Sequence, residues 1–217
     1  MPNWTLEVSL ESHDDEVRRA FGRRYTNAQM EPMMRYALEA DRRRQFVNSG
    51  TLPWQFNEPF PMAACTSAVD YFAHPKPVYY AVEKAYEALH VSAKYETLCW
   101  SGMERFEAEV WGSNARLSAL EGARLRARLV GIDGAVRAEW SETVSLGANG
   151  SAPLLSVAHP LAELPEQFFL VLELTSVEGE LLSENHYLFT QSELLTPVLS
   201  APAAKLAVEK VVAVSYT

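Results

Sequence analysis

The chain has 217 residues, enough for one large domain or two small ones, and 48% of them are hydrophobic, which predicts a packed core and excludes a disordered chain. The net charge is −9 with no extended basic patch, which speaks against nucleic acid as a partner. No run approaches the ~20 apolar residues of a membrane helix, so no membrane partner is expected either.

The N-terminal stretch MPNWTLEVSLESHDDE has neither a basic n-region nor an apolar h-region. A cytoplasmic location is therefore the expectation. TNAQMEPMMRYALEADRRRQFVNSG predicts a helix with Thr26 or Asn27 as its N-cap and Gly50 as its stop. Met30, Met33, Met34, Ala37, Leu38 and Phe46 fall mostly at helical spacing and make its apolar face. Asp41-Arg42-Arg43-Arg44 is the densest positive cluster, and on a helix it reads as a solvated face. TLPWQF follows with the composition of a strand, then the irregular NEPFPMAACTSAVDYFAHPKP. A second helix is predicted from about Lys76 to His90, with Pro77 in its first turn and Val78, Tyr79, Val82, Ala85, Tyr86 and Leu89 as its stripe. The order helix, strand, long loop, helix is that of an α/β unit, in which loops after strands carry the chemistry.

After about Val91 the hydrophobic period changes to two. In RFEAEVWGSN, Phe106, Ala108 and Val110 alternate with Glu107, Glu109 and Trp111. In ARLRARLVGIDG, Ala123, Leu125, Ala127 and Leu129 alternate with Arg124, Arg126 and Arg128, a strand with one wet, basic face. Asp133-Gly134 marks a turn, and QFFLVLELTSVEGELLSENHYLFT reads as two strands around Glu178-Gly179. Such spacing predicts an antiparallel sandwich of immunoglobulin type, without the Cys…Trp…Cys pattern of antibodies. The tail after Pro197 and Pro202 alternates in part and could start another strand. Cys65 and Cys99 lie far apart and read as small buried hydrophobes in a reducing compartment. His13, His74, His90, His159 and His186 show no ligand spacing, so neither a metal nor another cofactor is expected.

The segment from Gly50 to Pro61, GTLPWQFNEPFP, places Trp54, Gln55, Asn57 and Glu58 between two prolines. Its pattern resembles the end of the catalytic barrel in family 2 glycoside hydrolases, in their β-mannosidase branch. The family reads G-x-L-x-W-Q-x-N-D-x-W-P, then S-x-x-x-D-Y-x-x-x-P-K-x-x-Y-Y. The sequence matches at Gly50, Leu52, Trp54, Gln55, Asn57 and Pro61, and again at Ser67, Asp70, Tyr71, Pro75, Lys76, Tyr79 and Tyr80. It departs at Glu58, where the family has Asp, and at Phe60, where it has Trp. The resemblance implies α/β followed by all-β: the terminal portion of a TIM (β/α)8 barrel over 1–91, an immunoglobulin-like sandwich over 92–196, and a linker with a possible further strand over 197–217.

A retaining glycosidase needs two carboxylates roughly 5–5.5 Å apart. The resemblance puts the family's acid/base and nucleophile on earlier barrel strands, so no catalytic residue is expected in this chain. It implies that Trp54 forms part of the floor of a sugar subsite and that Gln55, Asn57 and Glu58 border it. The expected partners are a β-linked oligosaccharide or glycoside and the remainder of the barrel. The expected function is that of the C-terminal portion of a retaining enzyme acting on β-mannosides, or on β-galactosides or β-glucuronides. A bland reading stands beside it, with Trp54 as a core aromatic and Glu58 as a loop-fixing carboxylate. A second function class is a non-catalytic carbohydrate-binding or structural module, which a surface strip of Trp100, Trp111 and Trp140 would favour. A third is an inactive remnant.

Overall fold

In the computed structural model, which describes residues 27–48, 50–51, 55–61 and 67–192, two helices precede seven strands. Helix α1 is Asn27–Arg43 and helix α2 is Pro77–Ala85. The strands are β1 (Leu89–Tyr95), β2 (Arg105–Asn114), β3 (Leu120–Gly131), β4 (Val136–Leu146), β5 (Gly150–Pro160), β6 (Gln167–Thr175) and β7 (Leu181–Thr190). They pair antiparallel throughout, in a three-stranded sheet β1-β2-β5 and a four-stranded sheet β4-β3-β6-β7. Together they make an immunoglobulin-like β-sandwich.

Alternation drives this half. Phe106, Ala108 and Val110 of β2 face Ala123, Leu125, Ala127 and Leu129 of β3 in one core, joined by Phe168, Leu170, Leu172 and Leu174 of β6. The centre is aromatic. Phe106 lies 4.8 Å from Phe189, 5.2 Å from Phe168 and 5.0 Å from Trp100, ring centre to ring centre. The Asp133-Gly134 turn joins β3 to β4, with Gly134 at φ 78° and the Asp133 carboxylate accepting the Ala135 N–H at 3.0 Å. On the outer face, Arg126 meets Glu139 and Arg128 meets Glu173, each at 2.7 Å, and Arg124 donates to the Ser141 hydroxyl. The basic strand is thus one rail of a cross-strand charge ladder.

Several expectations are corrected here. Helix α1 stops at Arg43, well short of Gly50, and Phe46 lies beyond it, 78% exposed at φ 68°. The side chains past the end have other partners: Gln45 donates to the carbonyl and side-chain oxygens of Asn149, and Asn48 to Asp41. Helix α2 ends at Ala85, and the chain expected to continue it to His90 enters β1 at Leu89. Pairing with β2 along its whole length outweighs the local helical spacing. Strand β1 thereby begins ahead of residue 92, where the sandwich was expected to start. Of the strand-like TLPWQF, Thr51, Gln55 and Phe56 are in no strand, and 52–54 lie outside the described residues. The described residues contain no barrel sheet. Arg42 and Arg43 are not a solvated face: Arg42 donates to the carbonyls of Ala85 and Glu87, and Arg43 to Ser92 and the Ala93 carbonyl. Cys99 is half-buried, its thiol donating to the Ser192 carbonyl, and Cys65 lies outside the described residues.

A buried carboxylate fastens α1 to the sandwich. Glu39 has no solvent exposure. One oxygen lies 3.0 Å from His90 Nε2 of β1 and accepts the Asn185 amide at 2.8 Å; the other accepts the Tyr187 hydroxyl at 2.7 Å. Asn185 and Tyr187 then reach on to the backbone of β1, Asn185 donating to the Val91 carbonyl and the Tyr187 hydroxyl accepting the Ala93 N–H. Burial, with the Glu39 charge beside it, pushes the Tyr187 phenol well above its ordinary range. Substituting Glu39→Ala strands three polar groups and should cost about 3–5 kcal/mol, and Tyr187→Phe about 1–2 kcal/mol. Urea titrations at constant m-value check both. A Glu39→Ala midpoint equal to that of the parent would mean that the carboxylate does not hold the two halves together.

Candidate functional site

The chain between α1 and α2 is irregular, yet three short pieces of it are tied by backbone hydrogen bonds. Ala68 N–H donates to the Gln55 carbonyl, Val69 N–H to the Phe56 carbonyl at 2.8 Å, and Glu58 N–H to the Val69 carbonyl. Lys76 N–H donates back to Ala68, bringing the start of α2 alongside. Asp70 closes the tip by accepting the His74 N–H at 2.8 Å, which holds its carboxyl below the ordinary range. Ala73 turns the corner at φ 65°.

Glu58 sits at the centre of these pieces, 6% exposed. One oxygen accepts the Lys76 ammonium at 2.7 Å and the Ser67 hydroxyl at 3.2 Å. The other accepts the Tyr71 N–H at 3.3 Å. Lys76 also donates to the Ser67 hydroxyl at 2.8 Å, which closes a triangle. The hydrogen bond from Lys76 holds the Glu58 carboxyl below its ordinary 4.5, against the smaller opposing effect of burial. A carboxylate in this state is a fastening. A general acid needs the reverse, a raised value and a proton to give.

The sequence-derived site residues fall out as follows. Asn57 is exposed and bridges to Val69; Gln55 is half-buried beside it. Glu58 is below them, turned to Lys76, and Trp54 lies outside the described residues. Around this segment Phe56, Phe60, Phe72 and Tyr80 are each 56–67% exposed. Trp100, Trp111 and Trp140 form no strip. Trp100 is in the sandwich core, Trp111 stands on β2 with its N–H on Glu109, and Trp140 is on β4 in the other sheet. Among the described residues no group of three or more His, Cys, Asp or Glu side chains could hold a metal ion.

Residues 107–192 match the family model described as Mannosidase Ig/CBM-like domain. Over these residues the sandwich is similar to a mannosidase Ig-like domain. Over this domain the resemblance to family 2 glycoside hydrolases holds. Solved structures of similar fold include a β-D-mannosidase from Dictyoglomus thermophilum, at 23% identity and TM-score 0.62, covering 76% of this chain and 19% of that one. They also include the exo-chitosanase CsxA from Amycolatopsis orientalis, at 22% identity and TM-score 0.60, with coverage of 76% and 19%. The chain spans about a fifth of the length of each, 19%. A search of curated proteins found no match.

Sequence reasoning missed the partners of Glu58, although the signal was present. Ser67, Tyr71 and Lys76 were all positions of the second motif, and all three converge on the residue where the first motif departs from the family. It also missed Glu39, His90, Asn185 and Tyr187. The signal there was Ser183 and Asn185 at inward places of β7, and a Glu next to Leu38 on α1.

The Glu58 anchor has a pH sign. Its carboxyl is lowered in the folded chain, so its contribution is complete above about 4.5 and is lost as acidification passes through the lowered folded value. Glu58→Gln should loosen the stretch 67–76 by on the order of 1–3 kcal/mol and remove this acid sensitivity. Amide exchange followed by mass spectrometry reads both effects. Identical protection of 67–76 in the two proteins at pH 7 would show the anchor to be idle.

Proposed function

We propose that this chain is the C-terminal part of a retaining family 2 glycoside hydrolase acting on β-mannosides, or on the related β-galactosides or β-glucuronides. The observation that carries the reading is the match of 107–192 to the mannosidase Ig-like family model, in a chain whose likeness in fold to a β-D-mannosidase structure extends over 76% of its length. On this reading residues 1–91 complete a (β/α)8 barrel, 92–196 form the following sandwich, and 197–217 lead onward. The exposed aromatics Phe56, Phe60, Phe72 and Tyr80 are then the face that the remainder of the barrel covers.

The segment around Asn57 has a supporting place in the chemistry. Trp54 would offer its ring to the apolar face of a pyranose, with Gln55 and Asn57 at the border of the subsite. Glu58 would set the position of Asn57 from below, through the Lys76–Ser67 triangle. Glycoside cleavage with retention needs a nucleophilic carboxylate and a second one that alternates as acid and base. Glu58 suits neither role: its lowered carboxyl gives it no proton to donate, and both of its oxygens are engaged by Lys76, Ser67 and Tyr71, so both carboxylates would come from sequence outside this chain.

Purified chain assayed on aryl β-mannoside, β-galactoside, β-glucoside and β-glucuronide should show no turnover above buffer, with or without Glu58→Gln. The longer protein that carries the rest of the barrel should hydrolyse one of them. In that protein Trp54→Ala should lower kcat/KM about tenfold or more, the loss of one aromatic contact to the sugar. Turnover by this chain alone that vanishes in Glu58→Gln would overturn the assignment.

A further inference from the structure

Asn149 stands in the turn between β4 and β5, and Gly150 opens β5. Asn149 is exposed and takes φ 46°, a left-handed conformation that asparagine tolerates better than most residues. Its N–H donates to the Arg116 carbonyl at 2.8 Å. Its backbone carbonyl and its side-chain oxygen both accept Gln45 Nε2, at 3.1 and 2.8 Å. Two residues on, the Ser151 hydroxyl donates to the Arg42 carbonyl at 2.9 Å and lies 2.8 Å from that of Ser113. The end of α1 and the turn after it are thus latched to this hairpin by two side chains.

An asparagine followed by glycine is chemically labile. The amide nitrogen of the second residue can reach the side-chain carbonyl carbon of the first and close a five-membered ring. Glycine leaves that nitrogen unscreened, because it has no Cβ. At Gly150 an added Cβ would meet the carbonyl oxygens of Gly147 and Ala148 at 3.6 and 3.8 Å, which is ordinary contact, so the site could be screened without disturbing the hairpin. What restrains the ring closure is Gln45. It holds the two Asn149 oxygens with one nitrogen, and a change in the Asn149 rotamer or in its ψ has to break one of those bonds.

We propose that Asn149-Gly150 is a site of spontaneous covalent modification whose rate is set by the Gln45 latch. The Gly150 nitrogen gives its proton to solvent base and attacks Asn149 Cγ. The N–Cγ bond forms, the Cγ–Nδ2 bond breaks, and the Nδ2 group takes up a proton and leaves as ammonia. Water then opens the cyclic imide at one carbonyl or the other, leaving aspartate or isoaspartate; no electron is transferred. The isoaspartate product carries an extra methylene in the main chain just ahead of β5, where Gly150 pairs with Asn114 and Ser151 with Ser113. That lengthening draws Ser151 off the Arg42 carbonyl, so the reaction undoes the latch that slowed it. The site records, irreversibly, the time that the end of α1 has spent away from the hairpin. The proposal needs only α1 and the sandwich and is independent of the reading as a hydrolase.

The test is storage of the full chain at mildly alkaline pH and body temperature, sampled by peptide mass spectrometry, with the free peptide Gly147–Pro153 as the unrestrained reference. Asn149 should convert in the chain, more slowly than in the peptide. Gln45→Ala should speed conversion about fivefold, as the loss of one ordinary hydrogen bond allows. Gly150→Ala should slow it while leaving the fold intact. In the converted protein, separated by its added negative charge, amide protection should fall over 150–152 and 42–48. No conversion at Asn149 in either the parent or Gln45→Ala would overturn the site. Equal rates in those two proteins, or a parent as fast as the peptide, would overturn control by the latch. Unchanged protection in the converted protein would overturn the release.

Discussion

A carboxylate removed from water must be surrounded by donors, and much of this structure follows from that demand at Glu39. The residue sits on α1 beside Leu38, with no exposure. Left alone, a buried charge would forbid the docking of the helix. Here the donors come from both edges of the sandwich, His90 from β1 and Asn185 and Tyr187 from β7. The two strands belong to different sheets. The same few atoms therefore close one side of the sandwich and seat the helix on it. Apolar contact alone would allow the helix to slide; a carboxylate with three directional partners fixes its register.

Glu58 repeats the device on a smaller scale. The stretch around it lacks regular secondary structure, so its backbone groups need other partners. The ties among Gln55, Phe56, Glu58, Ala68 and Val69 meet part of that need, and the Glu58 side chain gathers Ser67, Tyr71 and Lys76 around them. Lys76 is also the residue before the first turn of α2. The loop and the helix start are thus set by one ion pair, which is why Asn57 has a defined position although it is exposed.

The sandwich was largely legible in the sequence because its signal is local. Alternation in β2 and β3 picked out Phe106, Leu125 and their neighbours, the turn signal at Glu178-Gly179 separated β6 from β7, and the Asp133-Gly134 turn marked a hairpin. The helix ends were not legible. Tyr86 and Leu89 continue the helical spacing, and only the long-range pairing of β1 with β2 moves Leu89 into a strand. Phe46 was read as part of a stripe because spacing carries no information about where a helix stops when Asn48 and Gln45 find side-chain partners elsewhere. At the candidate site the motif located the segment but not its internal wiring. A Glu beside an Asn and aromatics invites a catalytic reading, whereas the partner that decides its role, Lys76, is distant in sequence.

The arrangement of fastened and uncovered surfaces has a direction. On the sandwich side α1 is tied by Glu39 and Arg43, while Arg42 ties it to the end of α2 and the connector after it. Phe56, Phe60, Phe72 and Tyr80, by contrast, face water. Folding alone does not account for this contrast, since large aromatic side chains left in solvent contribute little to it. It makes sense where the helices are a layer between two bodies. The sandwich would then act as a brace, holding α1 and α2 in place so that the loop bearing Asn57 meets whatever covers the aromatic face at a set angle. Such support matters wherever a site is assembled from two bodies, because a misplacement of about 1 Å can cost on the order of 10²-fold in rate. The brace is polar where it must set register and apolar where it must only fill space, and the division between Glu39 and the Phe106–Phe168–Phe189 cluster follows that line.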